Sequence, residues 1–185
     1  MSKTNHPIEK LVKTIIYKGV EFEVVERPDV ICVGCVDYAN NNTDEADTGA
    51  IFKRFQELVE SVPIEEKINP DWWASLSINY SCDDKPRGFM CLNESYTEKQ
   101  DSRYDLFILP GGLWLRVCND KKAAELLLGK ETANMYEYFA GEEAPLQSAA
   151  KENGYKQNPD IHIQVEYWYN NPPHTNYAYI PIIAI

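Results

Sequence analysis

The segment Ile161-His-Ile-Gln-Val-Glu166-Tyr-Trp-Tyr169, near the end of this 185-residue chain, decides the predicted fold. Its apolar and polar side chains alternate, which predicts a β-strand with two different faces. Asn170-Asn-Pro-Pro173 interrupts the pattern and Tyr177-Ala-Tyr-Ile-Pro-Ile182 resumes it, so we expect a closing hairpin of Ile161–Tyr169 and Tyr177–Ile185. Because Pro181 has no backbone N–H, the last strand is expected to be an edge strand or to carry a bulge there.

Glu166 is the candidate functional residue of this segment. Strict alternation gives one face with His162, Gln164, Glu166 and Trp168, and another with Ile161, Ile163, Val165 and Tyr167. An acid among aromatic rings is costly to desolvate unless a positive or hydrogen-bonding group meets it. Two interpretations follow: Glu166 faces water or a nearby Lys or Arg on the sheet surface, or it lies in a groove and awaits a cationic ligand.

Aromatic residues are numerous, with twelve Tyr, four Trp and six Phe, and many fall in predicted strands. Such rings can simply fill a core. Tyr and Trp also combine an apolar ring with a polar edge, and their faces attract cations. The candidates for a groove wall are Trp72, Trp73, Tyr80, Phe89, Tyr96, Tyr104, Trp114, Tyr138, Trp168, Tyr177 and Tyr179.

The net charge of −11 argues against direct binding to nucleic acid, since such a surface repels phosphates. No apolar run reaches ~18 residues, so no membrane span is predicted. The first residues contain no apolar secretory segment, and a cytoplasmic location is expected.

The chain has five cysteines, and this odd number in a cytoplasmic protein argues against a disulfide framework. Cys32 and Cys35 form a C-x-x-C motif, but it lies in a predicted strand, which places the two thiols on opposite faces. We therefore expect structural cysteines. The sequence has no second ligand pair for zinc and no recognised nucleotide or protease motif, so no metal site and no cofactor is predicted.

The order of predicted elements repeats once along the chain. The first unit has β-rich sequence from Leu11 to Val36, a helix from Asp47-Thr48 to about Ser61, and strands at Trp72–Ser81 and Gly88–Tyr96. The second unit has a long strand at Tyr104–Cys118 with a bulge at Pro110-Gly-Gly112, a helical region at Lys121–Phe139 with a possible break at Gly129, a short helix near Leu146–Asn153, and the closing hairpin.

Two strand-helix-strand-strand units can pair through their long opening strands into one curved antiparallel sheet. We therefore predict an α+β fold with the helices on one face of the sheet and a ligand groove on the other. Residues 1–19 are expected to form an N-terminal extension, residues 20–185 the domain, and about 20–97 and 103–185 the two pseudo-repeats.

An ordered set of short segments resembles the GyrI-like superfamily, the effector-binding domain of AraC- and MerR-type transcription regulators. The resemblance covers nearly the whole chain from about Val20. Its strongest part is Val165-Glu-Tyr-Trp168 followed by Tyr179-Ile-Pro-Ile182. The other segments are Phe22–Pro28, Ile31–Gly34, Ile51–Leu58, Ile78-Asn-Tyr80, Gly88-Phe-Met90, Leu109–Trp114 and Gly154-Tyr155.

This resemblance implies a central groove for hydrophobic, often cationic, compounds, with Glu166 as the family's acid. It implies that the ligand also contacts Trp168, Tyr80, Trp114 and Tyr179, and Tyr96 is a further ligand-binding candidate. Ser81 stands where the family usually has Gly after the tyrosine, so the backbone at Tyr80 is expected to differ.

The resemblance also implies a stand-alone member, with a role in drug sensing or sequestration or in transcription regulation. The first hypothesis is a cytoplasmic protein that binds a hydrophobic, cationic small molecule and is not an enzyme. The alternative is a GyrI-like hydrolase of reactive cyclopropane-containing genotoxins, with Glu166 and Tyr80 as catalytic residues. A protein partner or a homodimer remains open as a third hypothesis.

Overall fold

The computed structural model describes residues 6–41, 44–82, 84–169 and 175–185. The predicted interruption at Asn170–Pro173 lies outside these residues, as do His174 and Asp83. The strands are β1 (Lys10–Tyr17), β2 (Val20–Arg27), β3 (Val30–Tyr38), β4 (Trp72–Ile78), β5 (Gly88–Ser95), β6 (Asp105–Leu109), β7 (Gly112–Cys118), β8 (Tyr155–Gln157), β9 (Ile163–Tyr169) and β10 (Asn176–Ala184). They form one sheet in the order β1-β2-β7-β10-β9-β4-β5-β3-β6, with β8 paired to β10. The predicted α+β class is confirmed.

Helix α1 spans Thr48–Ser61, as its sequence pattern predicts. Asp47 caps it, because its side-chain oxygen accepts a 2.9 Å hydrogen bond from the Ala50 N–H. Ile51 and Phe55, about one turn apart, are buried against the sheet. Helix α1 therefore covers part of one face of the sheet.

The helical region predicted at Lys121–Phe139 is not one helix. It contains α2 (Lys121–Ala123), a π-helical turn (Ala124–Leu128) and a 3₁₀ turn (Met135–Tyr138). Gly129 ends the π-helical turn in the left-handed conformation, with a φ of 66°, which favours glycine. The later helix α3 (Pro145–Glu152) agrees with the predicted short helix. In the described parts of the chain, no helix combines the length and hydropathy needed to cross a membrane.

The long opening strands of the two units pair with each other, as predicted. Each is bent in the middle: β2 and β3 flank Pro28-Asp29, and β6 and β7 flank Pro110-Gly111. β2 pairs with β7 and β3 pairs with β6, all antiparallel. The two bends touch where the Gly111 N–H donates to Asp29 Oδ1 at 2.7 Å. This contact joins the β2–β3 connection to the β6–β7 connection, and the sheet curls around an inner face.

Both helical regions cover the outer face of this curled sheet. α1 packs on Val33, Cys35 and Cys91, while α3 and the 3₁₀ turn pack on residues of β7 and β10. Cys32 lies in the other, inner cluster, so the two thiols of the C-x-x-C motif point to opposite faces as predicted. Burial raises the pKa of the Cys32 thiol, which suits a structural cysteine.

The inner face holds aromatic rings and a group of buried charges. Arg27 Nη2 lies 2.5 Å from Glu94 Oε1, and Arg116 contacts Glu23 and Glu9 at 2.7 Å each. His6 lies 2.5 Å from Glu94. Because β1 pairs with β2, and His6 and Glu9 lie inside, the described part of the predicted N-terminal extension packs against the domain. The boundary at residue 20 stays a prediction.

Pro181 occupies a position that the sequence did not predict. β10 is a central strand, not an edge strand, with β7 on one side and β9 then β8 on the other. The β9 pairing ends at Tyr179 and the β8 pairing begins at Ile182. Pro181 therefore lies where the neighbouring strand changes, and its missing N–H interrupts neither ladder.

Candidate functional site

The outer face of β9 carries Glu166 and Trp168. The Trp168 ring stacks on Trp73 of β4 with ring centroids 5.1 Å apart and an interplanar angle of 5°. Trp73 in turn contacts Phe52 of α1 at 5.3 Å. Because Glu166 lies two residues before Trp168 in the strand, it points to the same, helix-bearing side. The side predicted for the groove therefore needs correction: Glu166 lies between the two helical regions and not on the face opposite them.

A cavity of about 610 Å³ opens beside Glu166 between the start of α1 and the 3₁₀ turn. Ser77 of β4 and Glu166 and Trp168 of β9 contribute to its wall, where these two strands pair near the centre of the sheet. Its wall consists of Glu45, Thr48, Ser77, Tyr80, Phe89, Asn119, Ala133, Asn134, Met135, Tyr136, Glu166, Trp168 and Asn176. This volume suits a drug-sized molecule.

Glu166 is the acid in the floor of the cavity. Burial raises the pKa of its carboxyl group to about 7, and a 3.5 Å hydrogen bond from the Ser75 hydroxyl opposes this only weakly. Within the described ranges, no Lys, Arg or His forms an ion pair with it. Burial thus disfavours the ionised form of Glu166, and a cationic ligand beside the carboxylate can stabilise that form.

Tyr80 lies in the wall just after β4. Its ring meets the ring of Tyr136 in the 3₁₀ turn edge-on, with the centroids 6.3 Å apart, so two aromatic residues from different halves of the chain lie side by side. Burial, and then Glu45, raise the pKa of the Tyr80 phenol above its ordinary value, so it is a neutral donor at pH 7. The left-handed residue of this turn is Asn79, with a φ of 63°, so no glycine is needed at Ser81.

Three of the six predicted ligand-binding residues line the cavity, namely Glu166, Trp168 and Tyr80. The other three lie elsewhere. Trp114 and Tyr179 are fully buried on the inner face, where Tyr179 accepts a 2.9 Å hydrogen bond from Arg116. Tyr96 follows β5 at its end and is 58% exposed. Alternation in β7 and β10 turns Trp114 and Tyr179 inward, away from the side that Glu166 faces.

Sequence reasoning missed several residues of the wall, above all Tyr136 and Glu45. Tyr136 lies in a 3₁₀ turn within a region predicted as α-helix, where helical spacing could not identify its face. Tyr138, a candidate aromatic two residues later, is buried in the core instead. Phe89 was among the candidate aromatics, and its alternation with Met90 in β5 does place it on the cavity side.

Searches with the sequence found no matching family model and no matching curated protein. Solved structures, in contrast, resemble this fold. The C-terminal domain of EcmrR has a TM-score of 0.56 at 12% identity, covering 90% of this chain and 99% of that domain. The structure of SAV2435 bound to tetraphenylphosphonium has a TM-score of 0.59 at 11% identity, covering 88% and 93%.

A putative bacterial transcription regulation protein from Staphylococcus aureus MU50 is similar as well, with a TM-score of 0.57 at 12% identity and coverage of 89% and 99%. At these identities the likeness concerns the fold. This chain therefore has the fold of these proteins, as the resemblance of its sequence implied.

Proposed function

We propose that this protein binds hydrophobic, positively charged small molecules in the cavity, with Glu166 as the counter-ion. The observation that carries the proposal is the position of Glu166: a carboxylate with a pKa raised by burial, in the floor of an aromatic cavity, without a cationic partner in the described residues. A bound cation would restore the stabilisation that the carboxylate lost on leaving water.

The aromatic wall supports the same proposal. Trp168 is held flat against Trp73, so its position is fixed before a ligand arrives. Tyr80 and Tyr136 supply ring surface on the other side of the cavity. Each ring that meets a cation face-on contributes about 0.5–2 kcal/mol. The structural neighbour SAV2435 was solved with tetraphenylphosphonium, a compound of this class.

The test compares two ligands of similar shape that differ in charge. We expect tetraphenylphosphonium to bind the wild-type protein and the Glu166→Gln variant to lose about tenfold or more of that affinity, since a close charge pair is removed. The affinity for triphenylphosphine oxide, which is neutral, should fall less than about twofold in the same variant. Isothermal titration calorimetry measures both.

A matched control is Glu26→Gln, which removes one charge from a side chain that is 57% exposed in β2. This variant should bind tetraphenylphosphonium like the wild type. Equal losses for the charged and the neutral ligand in Glu166→Gln would contradict a counter-ion role.

The hydrolase alternative has one supporting observation. A carboxyl group with a pKa near 7 can exchange a proton at neutral pH, and the neutral phenol of Tyr80 lines the same cavity. In this alternative Glu166 takes a proton from the water that attacks a carbon of the strained ring. Tyr80 donates a proton to the carbon that is released when the ring bond breaks. Incubation with an electrophilic cyclopropane compound tests it: product that forms with time in the wild type and not in Glu166→Gln supports hydrolysis, and no turnover excludes that substrate class.

A further inference from the structure

The cavity wall contains a second carboxylate, Glu45, whose situation differs from that of Glu166. Glu45 lies just before α1, and its side chain is 58% exposed at the opening of the cavity. Tyr80 lines the same cavity, and Glu45 contributes to the raised pKa of its phenol. An acid beside an aromatic ring is the pair of groups that attracts an organic cation.

Arg87 already occupies this pair. Its Nη1 lies 2.5 Å from Glu45 Oε1, and its guanidinium carbon lies 5.4 Å from the centroid of the Tyr80 ring. Arg87 lies directly before β5, where its backbone oxygen accepts a 2.8 Å hydrogen bond from the Ala39 N–H. Arg87 thus makes the two contacts that a positive group of a ligand would make.

The charges of the cavity follow from these contacts. Its described wall has two carboxylates, Glu45 and Glu166, and Arg87 neutralises the first. We infer that Arg87 is a specificity-determining residue that fills a second cation subsite, formed by Glu45 and Tyr80, so that the cavity favours ligands with one positive charge over ligands with two. This inference rests on the proposed function, because it assumes that Glu166 receives the first charge.

Ethidium and propidium test the inference, since both have a phenanthridinium core and propidium carries one more quaternary ammonium group. In the Arg87→Gln variant, Glu45 and Tyr80 become available to this second charge. We expect the affinity for propidium, relative to ethidium, to rise about fivefold or more at low salt. Fluorescence titration of both dyes with wild-type and variant protein gives the ratio.

Two further variants separate this effect from general electrostatics. Arg103→Gln removes the same charge from an exposed pair with Asp101, neither of which lines the cavity, and should leave the ratio unchanged. Glu45→Gln in the Arg87→Gln background removes the acid of the subsite and should return the ratio to the wild-type value. Thermal unfolding confirms that each variant is folded.

The possible outcomes distinguish the two proposals. A raised ratio in Arg87→Gln that Glu45→Gln reverses supports the specificity role. Ethidium binding that depends on Glu166, together with a ratio that Arg87→Gln leaves unchanged or that Arg103→Gln raises equally, would overturn this inference and leave the proposed function intact. Failure of both dyes to bind the wild-type protein would overturn the proposed function, and this inference with it.

Discussion

At the scale of single residues, the buried carboxylate of Glu166 makes the folded state less stable at neutral pH. Its folded-state pKa of about 7 lies above the ordinary value of 4.5 because burial disfavours the charge. An acid with a raised pKa destabilises the folded state once the pH exceeds its unfolded value. This penalty is absent below pH 4.5, grows up to about pH 7, and is complete above it.

Glu166→Gln should therefore be more stable than the wild type at pH 8, by about 3 kcal/mol, and nearly equal to it at pH 4.5. Urea unfolding followed by fluorescence at the two pH values measures the difference. The exposed Glu57→Gln in α1 serves as the control, with no such pH-dependent gain. A Glu166→Gln protein that is less stable at pH 8 would mean that the carboxylate has a stabilising partner.

At the scale of elements, the contact between the two strand bends sets the curl of the sheet. A Cβ atom on Gly111 would lie 2.7 Å from the backbone of Pro28 and Asp29, which cannot move aside as a side chain can. Gly111→Ala should therefore destabilise the protein by about 1–3 kcal/mol, the usual cost of overpacking. Chemical denaturation measures it.

The matched control is Gly49→Ala in α1, where the added methyl group has room and alanine favours helix, so stability should stay equal or increase. If Gly111→Ala unfolds at the same denaturant concentration as the wild type, the two bends are not in tight contact.

The elements also show what sequence can and cannot predict here. α1, β9 and β10 were predictable because their periodicity is local, and the cap at Asp47 added a second signal. The face of the sheet on which the cavity lies was not predictable. Alternation in β9 separates two sets of side chains but does not show which set lies on the inside of the curled sheet. Trp114 and Tyr179 are aromatic, like the residues of a ligand-binding wall. The long-range pairing of β7 with β10 nevertheless places both side chains on the inner face of the sheet.

At the scale of the whole molecule, the inner face combines the core with a buried charge network. Arg27, His6 and Tyr167 all contact Glu94. Burial opposes ionisation of Glu94, but Arg27 and His6 outweigh it and lower the pKa of that carboxyl to about 2. Tyr167 belongs to β9, the strand that also carries Glu166. The network therefore anchors this strand on the inner face of the sheet, while Glu166 projects from the outer face.

Glu94→Gln should cost about 3–5 kcal/mol at pH 7, because it removes the nearest carboxylate from the buried Arg27 guanidinium and leaves it, within the described residues, only Glu9, at 3.6 Å. The stabilisation that the lowered pKa of Glu94 contributes is present above pH 4.5 and is lost as the pH falls toward 2. The difference in unfolding free energy between wild type and variant should therefore become smaller over that range. Denaturant unfolding at pH 7 and pH 3.5 measures this. Equal stability of variant and wild type at pH 7 would show that the network contributes little.

The pH dependence of tetraphenylphosphonium affinity tests the central claim most directly, since it asks whether the ligand binds the ionised form of Glu166. From pH 8 down to pH 7 the wild-type affinity should change little. Below pH 7 it should fall by up to about tenfold per pH unit, while Glu166→Gln binds weakly and without this slope. An affinity that is the same at pH 5.5 and pH 8, or a Glu166→Gln variant that keeps the wild-type affinity, would contradict the account.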